Sequence, residues 1–209
     1  MIRPEGFRGA AFGEAAEGDL RIDTGRRRAV AAVLGIPPEW AFASQVHGTT
    51  MLRATTPGRL GEADALYTTR QALPIAVATA DCAPVILEGN GFTAVVHAGW
   101  RGAAAGILQA TVATLEQAGL NTERAAIGPS IGPCCYEVGD EVAERFEGYA
   151  AKTTWGTTSI DIGGYLESAL GPLPVWRSQR CTYTDEDLNS YRQNRTRLRQ
   201  VAVAWLPPN

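Results

Sequence analysis

This 209-residue sequence contains only two histidines, and both lie in glycine-containing segments. His47 belongs to the segment QVHG, whereas His97 begins the segment HAGWRG. Cys82 lies between them, 35 residues after His47 and 15 residues before His97. Two imidazoles and a thiolate suit zinc, and they also suit copper. Three protein ligands leave one tetrahedral position for water or substrate, as in catalytic zinc sites.

The wide spacing of these residues bears on the kind of site they could form. Paired ligands of zinc fingers lie only a few residues apart, so the spacing does not fit that class. Each of the three residues follows or ends a predicted strand, which favours a site assembled at strand ends. The same residues also suit a thiol hydrolase in which Cys82 is the nucleophile and His97 is the base. A structural role also stays open, because isolated cysteines and histidines often serve only packing.

Three further residues and a basic run could assist this chemistry. Asp64 and Asp81 are candidates for orienting a metal ligand or for general acid–base catalysis. Arg101 lies at the start of a predicted helix, where a guanidinium could bind phosphate; alternatively it only covers Trp100. A basic run near the C-terminus predicts a solvated face, from which one arginine could reach an anionic substrate; it contains Arg192, Arg195, Arg197 and Arg199.

The elements that must position these residues can be predicted from hydrophobic patterning. Continuous apolar runs at residues 73–79, 84–87 and 92–96 predict strands that are covered on both faces. Further strands are predicted at 40–46, 124–127, 175–180 and 200–206, and helices at 26–34, 102–118, 141–146 and 165–170. The glycines and prolines of residues 128–136 predict a loop of defined conformation. Residues 1–24 show little periodicity and are predicted to wrap around the surface of the protein. The pattern favours an α+β fold in a single domain covering residues 1–209.

Composition excludes several classes of protein. Nineteen basic and 22 acidic residues give a net charge of −3, so no nucleic-acid or anionic-membrane partner is expected. The sequence has no apolar run near the roughly 20 residues of a membrane helix and no secretory signal pattern. Four cysteines are too few for a disulfide scaffold, and Cys134 and Cys135 are interpreted as packed or incidental thiols. A cytoplasmic protein with reduced thiols is expected, with no obligate protein partner.

Five motifs together resemble the YfiH family, the bacterial relatives of laccase domain-containing proteins. They are QVHG at 45–48, TADCAPV at 79–85, HAGWRG at 97–102, IGPSIG at 127–132 and CYEVG at 135–139. The resemblance covers about residues 40–206. Members of this family are variously described as multicopper polyphenol oxidases, purine nucleoside phosphorylases and peptidoglycan editing factors.

The resemblance implies a fold, a metal and an activity. The fold is a mixed-sheet α/β sandwich, and the implied ligands of zinc, or of copper, are His47, Cys82 and His97. The implied activities are phosphorolysis of adenosine, inosine, guanosine and methylthioadenosine, and hydrolytic deamination of adenosine. Asp64, Asp81, Arg101 and Cys82 are then the candidate catalytic residues, and Arg101 and Arg199 are the candidate phosphate-binding residues. The expected partners are a nucleoside and phosphate.

Three alternatives remain open at this stage: a copper-dependent polyphenol oxidase, a Cys–His hydrolase, and an editing factor for cell-wall precursors. Two histidines are too few for the copper cluster of a multicopper oxidase, which argues against strong laccase activity. The sequence also departs from the family near its C-terminus, where residues 192–199 read RQNRTRLR and lack a Thr-Gly turn. If this segment closes over substrate, substrate preference or rate would differ.

Overall fold

The computed structural model describes residues 1–208, and two large β-sheets form its centre. The strands are β1 (Ala10–Phe12), β2 (Ala41–Ser44), β3 (Met51–Arg53), β4 (Gly58–Glu62), β5 (Ala65–Thr68), β6 (Ile75–Thr79), β7 (Ala83–Gly89), β8 (Phe92–Ala98), β9 (Thr122–Ile127), β10 (Ala150–Lys152), β11 (Thr158–Ile160), β12 (Val175–Arg177) and β13 (Gln200–Ala204). The α-helices are α1 (Thr24–Leu34), α2 (Trp100–Ala104), α3 (Ile107–Gln117), α4 (Asp140–Ala143), α5 (Ile162–Ala169) and α6 (Tyr191–Asn194).

Both large sheets mix parallel and antiparallel pairs. The first has the strand order β1-β13-β6-β2-β4, and the second has the order β12-β9-β7-β8-β5-β3. Strands β10 and β11 form a separate antiparallel pair. This architecture confirms the predicted α+β fold with mixed sheets.

Hydrophobic packing arranges the two sheets and the helices in layers. Ile75 and Val77 of the first sheet belong to the same buried cluster as Ile86 and Val95 of the second. The opposite face of the second sheet packs against α3 and α5, and the opposite face of the first packs against α1. All residues of β6, β7 and β8 are therefore buried, which confirms the prediction from their continuous apolar runs.

The helix predicted at residues 102–118 is wrong in one respect. The structure has two helices there, α2 and α3, separated at Gly106. Gly106 has a φ of 81°, in the left-handed region that glycine adopts without a steric penalty. The apolar pattern continues through this position, so periodicity alone could not reveal the break.

The N-terminal segment also differs from its predicted role as a surface wrap. Residues 10–12 form the buried edge strand β1, which pairs with β13 in the first sheet. Strands β3, β4 and β5 were not predicted either, because each has only three to five residues. No helix among residues 1–208 has the length and apolar character needed to cross a membrane.

The connection between β6 and β7 passes from the first sheet to the second. It contains Asp81 and Cys82, and Asp81 has a φ of 89°, which turns the chain sharply. The β7–β8 hairpin then pairs Ala83 with Ala98 and Pro84 with His97. This register brings the start of β7 and the end of β8 to the same edge of the sheet.

Candidate metal centre

His47, Cys82 and His97 converge at this edge. Their ligand atoms all lie within 4.8 Å of one another, and Cys82 Sγ is 3.9 Å from His47 Nε2. The two imidazole rings meet nearly edge to face, with their centroids 4.8 Å apart. Cys82 is half-buried, His97 is buried and His47 is exposed. The structure thus places the three candidate ligands in one group that is open on one side.

Asp64 lies behind this group and holds two of its members. Its side chain is fully buried, and Oδ1 is 2.7 Å from His97 Nδ1. Because Nδ1 of His97 is occupied by this contact, Nε2 is the ring nitrogen that can bind a metal ion. A carboxylate bonded to the second nitrogen of a metal-binding histidine fixes the orientation of the ring and raises its basicity.

The same carboxylate also shapes the turn that carries His47. Asp64 Oδ1 accepts a hydrogen bond from the backbone N–H of His47 at 3.0 Å. Asp64 Oδ2 accepts from the N–H groups of Val46 at 3.1 Å and Gly48 at 2.7 Å. His47 has a φ of 61°, a conformation that costs free energy for a residue with a side chain. Three bonds to one buried carboxylate offset this cost.

Gly99 leaves the space in which the ligands meet. A Cβ atom at this position would lie 2.6 Å from His47 Cδ2 and 3.1 Å from Cys82 Sγ. The first distance is too short for two carbon atoms, so any side chain here would displace His47. This close approach explains why the HAGWRG segment has glycine as its third residue.

The electrostatics of the group favour a thiolate beside charged imidazole. Burial acts to raise the pKa of Cys82, but hydrogen bonds from His47 and His97 lower it to about 6. Burial acts to lower the pKa of His97, but its bonds to Asp64 and Cys82 raise it to about 9. The pKa of Asp64 lies below its usual value, because its bonds to His97 and to the backbone outweigh the effect of burial. These values describe the protein without a metal ion.

Asp81 does not face the three candidate ligands with a free carboxylate. Its Oδ1 accepts hydrogen bonds from Thr182 Oγ1 at 2.8 Å and Ser190 Oγ at 2.6 Å. Its Oδ2 accepts from the backbone N–H of Arg192 at 2.7 Å. The residue before Cys82 therefore anchors the segment that carries the C-terminal arginines.

The group opens into a cavity of about 980 Å³. Seven arginines line it: Arg21, Arg27, Arg59, Arg101, Arg192, Arg195 and Arg199. The aromatic residues of its wall are Trp40, Phe42, Trp100, Tyr136 and Tyr191. Within residues 1–208, Asp81 is the single carboxylate on this wall. The cavity therefore offers strong positive charge together with flat apolar surfaces.

Arg101 and Arg199 both reach this cavity. The Arg101 guanidinium lies 4.3 Å from the ring centroid of Trp100, so the arginine covers the ring and also borders the cavity. Arg199 Nη1 donates to the carbonyl oxygens of Thr196 and Leu198, and its guanidinium lies 5.9 Å from the ring centroid of Tyr191. Arg197 is the one member of the predicted basic run that is not part of the wall.

Other residues of the cavity were not singled out from the sequence. Arg21, Arg27 and Arg59 come from segments far from the motifs, and nothing in their local pattern marks them as functional. Tyr136 lies in the CYEVG motif, which offered a signal, and it is buried in the cavity wall. Burial raises the pKa of its hydroxyl, so the phenol stays protonated at neutral pH.

Comparison with known proteins places the chain in a family. The family model described as multi-copper polyphenol oxidoreductase laccase matches residues 12–207. The chain belongs to this family. The match begins 28 residues before the region in which the motifs were recognised.

Relatives of this family with assigned names are similar to the chain over most of its length. A purine nucleoside phosphorylase from Corynebacterium glutamicum is 38% identical over 205 residues, covering 90% of this chain and 83% of the relative. The purine nucleoside phosphorylase YfiH from Escherichia coli is 36% identical over 200 residues, covering 88% and 81%. These matches confirm the resemblance to the YfiH family.

Solved structures of the family share the fold. YlmD from Geobacillus stearothermophilus has a TM-score of 0.82 at 27% identity, covering 99% of this chain and 89% of that chain. A hypothetical protein YfiH from Bacillus licheniformis has a TM-score of 0.80 at 26% identity, covering 90% and 82%. The family fold thus accounts for both sheets of the present structure.

Proposed function

We propose that this protein is a zinc-dependent purine nucleoside phosphorylase. The observation that carries the proposal is the opening of the His47–Cys82–His97 group into a cavity with seven arginines and five aromatic side chains. The names of the relatives from Corynebacterium glutamicum and Escherichia coli support the same activity. Adenosine, inosine, guanosine and methylthioadenosine are the proposed substrates, with phosphate as the second substrate.

The three side chains fit a zinc ion. Zinc–sulfur and zinc–nitrogen distances of about 2.3 and 2.1 Å place tetrahedral S and N ligands about 3.6 Å apart. Cys82 Sγ and His47 Nε2 are 3.9 Å apart, so this pair needs a shift of only a few tenths of an ångström, and all three ligand atoms lie within 4.8 Å of one another. The Asp64 contact to His97 supplies the orienting carboxylate that such histidines commonly have. When bound, zinc supplies a Lewis acid with one position open to water or substrate.

The cavity wall can bind both substrates of phosphorolysis. Arginine guanidinium groups bind phosphate through paired hydrogen bonds, and we assign this role to Arg101 together with Arg199. Aromatic side chains such as Trp100 and Tyr191 offer faces on which a purine can stack. Holding phosphate and nucleoside together converts a reaction between two molecules into one within a single complex.

The reaction itself breaks one bond and forms another. A phosphate oxygen forms a bond to C1′ of the ribose, and the C1′–N9 bond breaks with its electron pair moving to the purine. The departing purine must then accept a hydrogen bond or a proton. We assign the donor to Tyr136, a residue of the cavity wall whose hydroxyl stays protonated at neutral pH.

The two candidate aspartates have positioning roles in this proposal. Both oxygens of Asp64 accept hydrogen bonds, and the side chain is sealed from the cavity, so Asp64 orients His97 and the turn at His47. Asp81 likewise accepts three hydrogen bonds from the segment 182–192. It holds that segment, with Arg192, against the cavity.

Hydrolytic deamination of adenosine is a second proposed activity. It is favoured by the group of only three protein ligands, because zinc deaminases also use three and place water at the fourth position. The same cavity would hold the adenosine. In this reaction water replaces the exocyclic amino group at C6, and ammonia leaves.

Two rival functions make different predictions from the same residues. In a thiol hydrolase, Cys82 would be the nucleophile beside a histidine, and activity would survive removal of metal. A polyphenol oxidase that reduces dioxygen to water needs four electrons and many histidine ligands, whereas this chain has two histidines. Copper-dependent phenol oxidation would therefore be weak. An editing factor for cell-wall precursors would lack nucleoside turnover even when folded and loaded with metal.

The deciding experiment measures hypoxanthine release from inosine by metal-analysed protein, with and without phosphate. We expect release that requires phosphate, that is lost after chelation and returns with zinc, and that is absent in Cys82→Ala. Tyr136→Phe should lower kcat while leaving the KM for phosphate unchanged. Release that persists after complete metal removal would favour the thiol hydrolase, and no release from folded, zinc-loaded protein would overturn the proposal.

A further inference from the structure

Three of the four cysteines form a second group, and two of them belong to the loop that carries Tyr136. Cys134 Sγ is 3.6 Å from Cys181 Sγ and 3.0 Å from Cys135 Sγ, and all three sulfurs lie within 4.8 Å of one another. None of these three cysteines belongs to the cavity wall formed by residues 1–208. All four cysteines have free thiols. The group is therefore separate from the proposed zinc ligands.

The backbone around the group is arranged to stabilise a negatively charged sulfur. The N–H of Gly132 donates a hydrogen bond to Cys181 Sγ at 3.1 Å. Burial acts to raise the pKa of Cys181, but backbone N–H groups of Gly132, Tyr183 and Thr184 bring it below the usual value. Burial raises the pKa of both Cys134 and Cys135, so these two thiols keep their protons at neutral pH. The hydrogen bond from Gly132 thus favours negative charge on Cys181 Sγ, the atom that also contacts Cys134 Sγ.

The positions of the sulfurs fit a single soft ion. At metal–sulfur distances of about 2.3 Å, three sulfurs in a plane around an ion lie about 4.0 Å apart. The contact between Cys134 and Cys181 is within 0.4 Å of this spacing, and the two adjacent cysteines must separate by about 1 Å. Cys134 and Cys181 are half-buried, so an ion can reach the group from solvent.

We propose that Cys134, Cys135 and Cys181 form a second metal site, which binds Cu(I) through three sulfurs. Within residues 1–208 the group contains no imidazole or carboxylate, and soft thiolate ligands select Cu(I) over harder ions. Structural zinc takes four ligands, whereas Cu(I) accepts three in a plane. Binding releases the protons of the thiols to solvent, and no electron is transferred.

An ion at this site would fasten two loops together. Cys134 and Cys135 belong to the loop 128–136, whereas Cys181 belongs to the segment that follows β12. These loops already meet where the N–H of Thr182 donates to the carbonyl oxygen of Ser130. Thr182 also donates to Asp81, beside Cys82. The site would thus stabilise one wall of the cavity without contributing a group to it.

Copper uptake by the Cys82→Ser variant tests the proposal, because its only thiols are the three in question. Under anaerobic conditions, the reduced protein is titrated against the Cu(I) complex of bicinchoninate. We expect the variant to remove one copper ion per chain from the complex, with only sulfur neighbours in X-ray absorption. The double variant Cys82→Ser/Cys181→Ser should lose this competition. Copper that stays on bicinchoninate, or copper bound with nitrogen neighbours, would overturn the proposal.

A measurement on the unaltered protein guards against misfolding of these variants. Wild-type protein, with and without Cu(I), is treated with iodoacetamide, and the modified cysteines are identified by mass spectrometry. We expect Cu(I) to protect Cys134 and Cys181 from alkylation. If both cysteines react equally fast with and without Cu(I), the sulfurs do not hold the ion and the proposal is wrong.

Discussion

Replacing Asp64 by asparagine tests how the buried carboxylate supports the candidate metal centre. If the asparagine oxygen keeps the contacts of Oδ1 to His47 and His97, the amide NH₂ takes the place of Oδ2. It then opposes the N–H groups of Val46 and Gly48, so two accepted hydrogen bonds become donor–donor contacts. The left-handed conformation of His47 would then no longer be stabilised by these two hydrogen bonds.

The magnitude follows from the kind of bond that is lost. Hydrogen bonds to a charged group contribute about 1.5–3 kcal/mol each, so two of them give about 3–6 kcal/mol. Val46 is exposed, so water can replace part of this loss, and we expect the free energy of unfolding to fall by about 3 kcal/mol. Loss of the carboxylate behind a metal-binding histidine typically reduces metal affinity about 10–100-fold.

The assays separate stability from binding. Urea unfolding of the metal-free protein gives the first quantity, and zinc competition with a chromophoric chelator gives the second. Glu88→Gln is the matched control, because Glu88 is also a buried carboxylate but lies near the far end of β7. It should lower stability and leave zinc affinity unchanged. Equal zinc affinity in Asp64→Asn and wild type would refute the inference that the charged carboxylate of Asp64 supports the ligands His47 and His97.

The same variant has a defined pH dependence. The pKa of Asp64 is lowered in the folded protein, so its stabilising contribution is complete above its unfolded pKa of about 3.9. That contribution is lost as the pH falls through the lower folded value. The stability difference between wild type and Asp64→Asn should therefore shrink in acid. It should also shrink as the pH rises above about 6.5, because Asp64 helps to raise the pKa of His97 to about 9 and this contribution is lost as His97 loses its proton. A difference that grows as the pH falls below about 4 would contradict this sign.

Three further predictions concern the residues around the ligands. Gly99→Ala should weaken zinc binding about tenfold, because its Cβ would meet His47 at 2.6 Å, and unchanged affinity in a chelator competition would contradict this. Alkylation of Cys82 in metal-free protein should have its midpoint near pH 6, and zinc should abolish it; a midpoint near 9 would show an unperturbed thiol. Arg101→Ala should raise the KM for phosphate about 10–100-fold with the KM for inosine unchanged, as steady-state kinetics would measure.

The candidate ligands could be predicted from the sequence, whereas the contacts that hold them and the arginines that surround them could not. His47, Cys82 and His97 stand in short segments whose composition is unusual, so they could be found without a fold. The contact between Asp64 and the turn at residues 46–48 depends on how β2 and β5 are placed, which no local pattern encodes. The arginines at positions 21, 27 and 59 reach the cavity only through the folding of distant segments.

The secondary structure also divides into elements that can be predicted from their own residues and elements that depend on residues distant in the sequence. Strands β6, β7 and β8 were predicted, because long apolar runs reflect burial on both faces. Three-residue strands such as β1 and β3 owe their conformation to the neighbouring strand, so their own residues carry little signal. The break between α2 and α3 occurs because Gly106 adopts a left-handed conformation. A glycine can also continue a helix, so its presence in the sequence does not predict a break.

The origin of the three candidate ligands has a consequence for folding kinetics. His47 follows a strand of the first sheet, His97 is the penultimate residue of β8 in the second sheet, and Cys82 lies in the connection from the first sheet to the second. The chelating geometry therefore exists only after the two sheets have docked, and we expect this docking to follow the transition state for folding. An interaction absent from the transition state slows unfolding and leaves the folding rate unchanged. Bound zinc would thus lower the unfolding rate and prolong the lifetime of the native state.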